Sequence, residues 1–432
     1  MKRLRYIILV AIMLLTLFGC RESDPIPTTV PEVKYPMVSG TFMQPWAFQS
    51  YDQARMTQHL QYLKDVGVEI LIVQSTFNVS EQSKELTEQD MEFLAVVLAA
   101  AKEMGMEVYV GLANDGNWWK KVFTDQYWLD EHVEISLRAA QKIYNSFKSQ
   151  YPGTLTGWYF WPEYWNMALD AAQTARGAKF LSDYRDGLYA IDSSMPMLLS
   201  PFISSAVDAK DTEAFWKDIL SSSTLRDGDI FCCQDSVGAG HVTIDQIDAY
   251  FAAMKAAADT KPGLQFWANN EDFTPDYHSA DMGRFKQQLD ITDKYVQKHI
   301  SFSFCHYRNP DTGKSKAFEA YQYYYETGKL AEGKPAKPIV TVETIDQGYH
   351  VKFDVTVNNA DGSIHSVLIT KDGAVIHEHV FESEETVQTY QFTDINMNQP
   401  LVKRHYEVYF VDYSGNRSDA HSEFVTVFTV GV

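Results

Sequence analysis

The chain has 432 residues, with 37 lysines and arginines against 57 aspartates and glutamates, a formal net charge of −20. So acidic a surface argues against nucleic acid and anionic lipid headgroups as partners, because both would be repelled by it. It is compatible with neutral glycans. The four cysteines, Cys20, Cys232, Cys233 and Cys305, are too few for a disulfide framework. The last three fall on apparent strands and read as packing residues.

Residues 1–19 read as a lipoprotein signal peptide. Lys2, Arg3 and Arg5 form a basic start, and Tyr6 to Phe18 is nearly all apolar but too short to span a bilayer comfortably. The run ends in Leu17-Phe18-Gly19-Cys20, which resembles a bacterial lipobox. That resemblance implies cleavage before Cys20, lipidation of that residue and a membrane anchor in the cell envelope. Loss of the three basic residues would leave the mature chain near −23 (−20 − 3). Residues 20–35 are polar and proline-bearing, as a lipidated tether should be. Glu22 and Asp24 loosely resemble a surface-export signal, so the outer membrane or cell surface is the expected location.

From residue 36 to 330, apolar β-like runs alternate with amphipathic helical stretches. The runs are Val38 to Met43, Glu69 to Gln74, Glu107 to Leu112, Leu155 to Phe160, Pro196 to Phe202, Asp229 to Gln234, Leu264 to Trp267 and Ile300 to Phe304. Their starts lie 31 to 48 residues apart, close to one βαβ unit each. In the first helix Met56, Leu60, Leu63 and Val66 share a face, and Gly67 is placed to end it. Further helices are expected over Met91 to Met104, Val133 to Tyr151, Ala171 to Ile191 and Ile244 to Ala258. Eight strands and eight crossovers predict a (β/α)8 TIM barrel. No glycine-rich phosphate fingerprint follows the first strand, and Gly238-Ala239-Gly240 reads as a loop.

Gly328 to Pro338 reads as a linker. Beyond it, over 338–432, the period changes to two: Val351, Phe353, Val355 and Val357 alternate with polar residues. Asp372-Gly373 between strand-like runs predicts a hairpin turn. Tyr406 to Ser418 resembles the closing strands of a fibronectin type III module, which implies a small all-β sandwich. It carries no cluster of catalytic groups, so a support or docking role is expected.

In such a barrel, functional groups collect where strands end. The first strand end supplies Gln44 and Trp46, the second Gln74, Ser75 and Asn78, and the third Asn114, Asp115, Asn117, Trp118 and Trp119. Trp161, Glu163, Tyr164 and Trp165 follow the fourth strand; Ser200 and Ser204 follow the fifth. Gln234 and Asp235 close the sixth. Trp267, Asn269, Asn270, Glu271 and Asp272 mark the seventh, and His306, Tyr307 and Arg308 the eighth. Amides, acids and tryptophans are what a saccharide site uses, as planar partners for hydroxyls and flat rings for pyranose C–H faces. The expected glycan contacts are Trp46, Gln74, Asn114, Trp118, Trp161 and Trp165 from the first half. From the second they are Gln234, Asp235, Trp267, Asn269 and His306. Within the adjacent pair Trp118-Trp119, alternation would send one ring inward and one toward the cleft.

Glu163 and Glu271 stand out. Each sits by tryptophan at a strand end, and two carboxylates at an aromatic pit can cleave a glycosidic bond, one as acid and one as nucleophile or base. The tryptophan and tyrosine neighbours of Glu163 should raise its pKa, while Asn269, Asn270 and either Arg308 or His306 could hold Glu271 ionised. His241, His278 and His306 are scattered, with no metal-ligand spacing, so neither a metal nor another cofactor is expected.

A glutamate at strands four and seven is the signature of clan A glycoside hydrolases, which this barrel resembles over roughly residues 36 to 330. More narrowly, the chain resembles a family of uncharacterised bacterial glycosidase-like barrel lipoproteins. The matching landmarks are Gly40-Thr41-Phe42 with Trp46, Gly157-Trp158-Tyr159 with Glu163, Gln234-Asp235-Ser236-Val237-Gly238-Ala239, and Trp267-Ala268-Asn269-Asn270-Glu271. The resemblance implies Glu163 as acid/base, Glu271 as nucleophile, and retention of configuration. It departs from the clan pattern at Pro162, where an asparagine usually contacts the sugar 2-hydroxyl; Asn166 or Asn114 could supply that contact. Two readings follow: an extracytoplasmic retaining glycoside hydrolase, or a surface lipoprotein that binds glycans without cleaving them.

Overall fold

A computed structural model describes residues 35–80, 83–381, 387–395 and 402–427. The expected signal segment, Cys20 and all of the tether before Tyr35 lie outside these residues. Eight parallel strands close a barrel: β1 Val38–Met43, β2 Ile70–Val73, β3 Glu107–Gly111, β4 Leu155–Phe160, β5 Met197–Leu199, β6 Ile230–Gln234, β7 Gln265–Glu271 and β8 His299–Phe302. Each pairs with its sequence neighbours, and β8 closes onto β1.

The helices that follow the strands are α1 Gln53–Asp65, α2 Glu88–Glu103, α3 Gln126–Phe147, α4 Ala171–Ile191, α5 Ala209–Ser222, α6 Ile247–Ala258, α7 Met282–Thr292 and α8 Ser315–Thr327. Six begin on an Asp or Thr whose side chain accepts a backbone N–H of the first turn: Asp52, Thr87, Asp125, Asp170, Asp208 and Asp281. Such caps satisfy amides that the helix itself leaves unpaired. The sequence singles out neither α5, α7 nor α8, although in α5 Thr212, Phe215, Trp216 and Ile219 keep the same buried spacing.

Strand β7 runs four residues past its expected end. Asn269, Asn270 and Glu271 look like a polar loop, yet the fold pairs their polar groups without ending the ladder. Asn269 Nδ2 donates to Ser200 Oγ at 3.1 Å, and Asn270 Nδ2 donates to Asp235 Oδ2 at 3.0 Å and Thr292 Oγ1 at 3.2 Å. Alternation on this strand sends Trp267, Asn269 and Glu271 into the barrel, while Phe266 and Asn270 face the helices. The rings agree: Trp267 meets Tyr109 edge-on across the interior, and Phe266 meets Phe251 of α6.

After α8, Gly328 takes a left-handed conformation (φ 70°) and stops the helix. Residues 329–338 form no regular element, and β9 Ile339–Ile345 opens an all-β module. Its other strands are β10 His350–Thr356, β11 Ile364–Lys371, β12 Ala374–Val380, β13 Thr389–Ile395, β14 Val402–Asp412 and β15 His421–Val427. One sheet has the order β9-β10-β13 and the other β12-β11-β14-β15, the pairing of a fibronectin type III sandwich. Val351, Phe353 and Val355 are buried between the sheets, as their alternation requires. Asp372 (φ 52°) and Gly373 (φ 85°) form the β11–β12 hairpin, both with the positive φ of a primed turn.

The sandwich docks on the segment just after β7. Met282 N donates to Tyr413 O, and His365 Nε2 to Ser279 O, both at 2.8 Å; Asn416 Nδ2 donates to Ala331 O at 2.9 Å.

Two buried ion pairs brace the barrel. Arg308 Nε donates to Asp272 Oδ2 at 2.6 Å, and Arg185 Nε to Asp229 Oδ2 at the same distance. Asp229 also accepts the backbone N–H groups of Met197 and Arg226, tying α4 to the start of β5 and β6. Removing one partner of such a pair strands the other charge in the interior. Asp229→Ala is expected to cost about 3–5 kcal/mol in chemical denaturation, far more than an exposed aspartate would.

Candidate active site

The β4 strand ends at Phe160, and Trp161 to Asn166 cross the top of the barrel in a pinned loop. Tyr164 OH donates to Gly177 O at 2.8 Å, Phe202 N donates to Tyr164 O at 3.0 Å, and Trp118 Nε1 donates to Glu163 O at 3.0 Å. With its backbone held, Glu163 presents its carboxyl to a cleft of about 310 Å3, whose wall includes Gln44, Trp46, Gln74, Asn114, Trp119 and Trp161. Glu163 Oε1 accepts from Gln234 Nε2 at 3.2 Å, and the same amide donates to Ser200 O at 2.8 Å. Burial raises the Glu163 carboxyl to about 7, against the pull of the Gln234 hydrogen bond.

Glu271 is the last residue of β7. Its Oε2 accepts the backbone N–H of Ala239 at 2.7 Å, and its own N–H donates to Asp235 Oδ1 at 3.2 Å. Asp235 is fully buried and receives three further bonds, from Val237 N, Asn270 Nδ2 and Gln288 Nε2. Arg284 Nη2 grips the carbonyls of Glu271 and Phe273 at 3.2 and 2.5 Å. The loop after β6 must lie flat on this strand. At Gly238 any Cβ would come within 2.8 Å of Glu271 Cβ and 2.7 Å of Phe273 O, so only glycine fits.

Burial raises Glu271 to about 8, with the charge of Asp235 next in weight; Ala239 N–H and Arg284 oppose the rise, and Glu163 adds to it. Glu163 therefore lies close enough for its charge to reach Glu271. Near neutrality the pair retains protons that free glutamates would have lost.

The other expected residues divide into three groups. Some reach the cleft. Trp46 is 70% exposed and stacks on His306 at 5.6 Å; Gln74 accepts from Gln44 Nε2, and Asn114 donates to Asn78 Oδ1. Trp161 lines the wall with its far side against His132, and Trp165 joins Trp119 (5.6 Å) and Phe202 (5.3 Å) on the rim.

Others position the first group. Gln234 holds Glu163, and Asn269, 1% exposed, lies beneath it on Ser200. Burial lowers His306 to about 4; the neutral ring accepts Gln44 N–H at 3.3 Å and props Trp46.

Three expectations are corrected. Asp235 makes all its bonds inside the protein and supports Glu271 instead of meeting a sugar. Trp118 is fully buried against Tyr164, so the cleft-facing ring of the pair is Trp119, 52% exposed. Trp267 is 2% exposed and fills the barrel interior below Asn269, where its Nε1 donates to Gln265.

Two finer expectations also change. The cation beside Glu271 is Arg284; Arg308 is spent on Asp272. Asn166 is 1% exposed and bonded to Ser204 and Thr212, which leaves Asn114 as the amide able to replace the one missing at Pro162. Arg284 carries no local signal in the sequence, since only α7 folding back across β7 brings it there. Among the described residues, no group of three or more His, Cys, Asp or Glu side chains is arranged to hold a metal ion.

The raised Glu163 pKa has a measurable consequence for stability. Below its ordinary value of 4.5 the carboxyl is protonated in both folded and unfolded chains. As pH rises to about 7 the unfolded chain ionises while the folded one holds its proton, so stability falls by at most about 3 kcal/mol and then levels. Glu163→Gln removes that cost. Its melting temperature should match the wild type near pH 4.5, rise above it progressively to pH 7, and keep a constant lead beyond; no lead at pH 8 would refute the raised pKa.

Residues 38–314 match the family described as Domain of unknown function (DUF4434). Among curated proteins none matches the chain. Of solved structures, a protein provisionally named an alpha-L-fucosidase, from Bacteroides thetaiotaomicron, aligns with TM-score 0.57 at 19% identity, over 68% of this chain and 96% of its own. The endo-beta-1,4-mannanase of Thermotoga petrophila aligns with TM-score 0.45 at 11% identity, over 93% of this chain and 99% of its own. The first likeness is one of fold, a (β/α)8 barrel. By the extent of its sequence match, the chain belongs to the DUF4434 family.

Proposed function

We propose that this protein is an extracytoplasmic, lipid-anchored glycoside hydrolase that cleaves a neutral oligo- or polysaccharide with retention of configuration. One observation carries the reading: Glu163, from the end of β4, faces an aromatic-walled cleft at the barrel mouth and lies near enough to Glu271, at the end of β7, for its charge to help raise that carboxyl's pKa. The provisional name of the Bacteroides thetaiotaomicron relative agrees with it. In the first step protonated Glu163 gives its proton to the glycosidic oxygen while Glu271 attacks the anomeric carbon, releasing the aglycone and leaving a glycosyl ester. In the second, Glu163 takes a proton from water, which attacks the same carbon and frees Glu271.

A pKa near 7 keeps Glu163 protonated, and so neutral, in about half the molecules at neutrality. Glu271 must act as an anion, and Ala239 N–H and Arg284 favour that form. In the free protein Asp235 holds it back; positive charge growing at the anomeric carbon beside it reverses the balance. The anchor would be Cys20, on the strength of Leu17-Phe18-Gly19-Cys20, with the cell envelope as location and the outer membrane or cell surface as the site of action.

A second reading, a glycan-binding surface lipoprotein without turnover, draws on two observations. Pro162 stands where clan A enzymes carry asparagine, and the pKa of Glu271 near 8 makes it a weak nucleophile at rest.

The soluble chain from Arg21 should release reducing sugar from some member of a panel of polysaccharides and aryl glycosides. Glu271→Gln should reduce that rate by a factor on the order of a thousand or more. The pH profile should be a bell peaking between about 7 and 8, because the working state of the pair holds one proton. The product first seen by NMR should keep the substrate's anomeric configuration. Binding without release, unchanged in both glutamate variants, would establish the second reading. In the full chain, Cys20→Ala should abolish incorporation of labelled fatty acid and release the protein from the membrane fraction.

A further inference from the structure

Beyond β7 the chain turns back in a tight hairpin, Phe273 to Ser279, whose tip carries an unusual residue. Tyr277 is 72% exposed and has a left-handed backbone (φ 63°). For a bulky side chain that conformation is strained, and an exposed ring recovers none of the strain through burial. The hairpin is nevertheless tightly made: Tyr277 N donates to Thr274 O at 2.7 Å, and Thr274 N to His278 O at 2.8 Å.

The Tyr277 ring lies parallel to Phe273 (5.9 Å, 5°), which in turn stacks on Tyr307 (5.4 Å, 23°). Tyr307 lies within electrostatic reach of Glu271. Its phenol is pushed up to about 12, by burial first and then by the charges of Tyr277, Asp272 and Glu271. From Tyr307 the rings continue to His306 (6.1 Å) and Trp46 (5.6 Å). Five rings therefore run from the β7 hairpin to the β1 loop in steps of 5.4–6.1 Å. A second run, Trp119, Trp165, Phe202 and His241, crowns the loops after β3 to β6 in steps of 5.3–5.6 Å.

We infer that Tyr277, backed by Phe273 and Tyr307, is a sugar-binding platform beside Glu271, and that the cleft accepts a chain of several sugars in place of one terminal residue. This rests on the glycan-directed reading above. Three exposed rings on this rim, Trp46, Trp119 and Tyr277, each offer a flat face to a pyranose, more platforms than a single sugar can use. The sandwich holds the platform in place. His365 Nε2 donates to Ser279 O at the hairpin base, and Ser279 Oγ donates to Tyr307 O at 2.6 Å.

The test measures affinity of the full soluble chain for galactomannan, xylan and mixed-linkage β-glucan, and for their fragments of increasing length. It uses the wild type, Tyr277→Ala, Tyr277→Gly and Glu271→Gln. Both Tyr277 variants should weaken binding of the preferred polymer about tenfold, with the loss growing as fragments lengthen. Tyr277→Gly should melt no lower than the wild type, because glycine accepts the left-handed backbone freely, so a folding defect cannot explain the loss. Equal affinities in wild type and Tyr277→Ala, a loss independent of chain length, or no binding to any of the three polymers would each overturn the platform. Length-dependent loss without hydrolysis by the wild type would uphold the platform and remove the hydrolase reading. Hydrolysis that needs Glu271 but ignores Tyr277 would do the reverse.

Discussion

Asp235 is the buried charge on which the barrel mouth depends. A carboxylate with no access to water survives in a fold only when donors surround it, and here four do: two backbone amides, Asn270 and Gln288. The donors come from three parts of the machinery. Val237 sets the loop after β6, Asn270 and Glu271 extend β7 beyond its apolar stretch, and Gln288 brings in α7. Satisfying one charge thus fixes the β6 loop against the end of β7, which is why Gly238 has no room for a side chain and why Ala239 N–H meets the Glu271 carboxyl. The same charge, a few bonds from Glu271, also raises the latter's pKa. The group that fixes the loop also sets how tightly Glu271 holds its proton.

Around that centre the protein spends its aromatic residues in two ways. Trp118, Tyr164, Phe160 and Phe180 pack face and edge beneath the β4 loop, and Trp118 Nε1 holds the Glu163 carbonyl. Trp46, Trp119 and Tyr277 are left exposed on the rim. The difference is one of support: each exposed ring rests on a buried or half-buried one, His306, Trp165 or Phe273. The C-terminal sandwich belongs to this arrangement, since it grips the segment from Ser279 to Met282 and so anchors the loop that follows Glu271. It is a brace for one side of the mouth as well as a module in its own right.

Much of this was legible in the chain. Repeating βα units, the change to period two after the linker and the Asp372-Gly373 turn are local patterns, set by how side chains alternate on a strand or recur on a helix. The two glutamates could be picked out because strand ends are where a barrel puts its chemistry. Less legible was the direction in which a given side chain points. Trp267 and Trp118 carry the same residue type as Trp46 and Trp119, yet the first pair is buried and the second exposed. For Trp267 the cause was the end of β7, placed too early because Asn269 and Asn270 look like loop residues until Ser200, Asp235 and Thr292 are seen to pair with them.

The sequence by itself determined the architecture, the acidic character and the two carboxylates, because these follow from composition and from periodicities that span only a few residues. Tertiary structure alone decided which groups serve them. Asp235 became a buried support, Arg284 replaced Arg308 as the neighbouring cation, Asn166 was consumed by Ser204 and Thr212, and Tyr277 emerged on a rim that no motif announces. Those outcomes depend on contacts between residues far apart in the chain, and a buried polar group takes whichever partner the closed barrel brings within hydrogen-bonding distance.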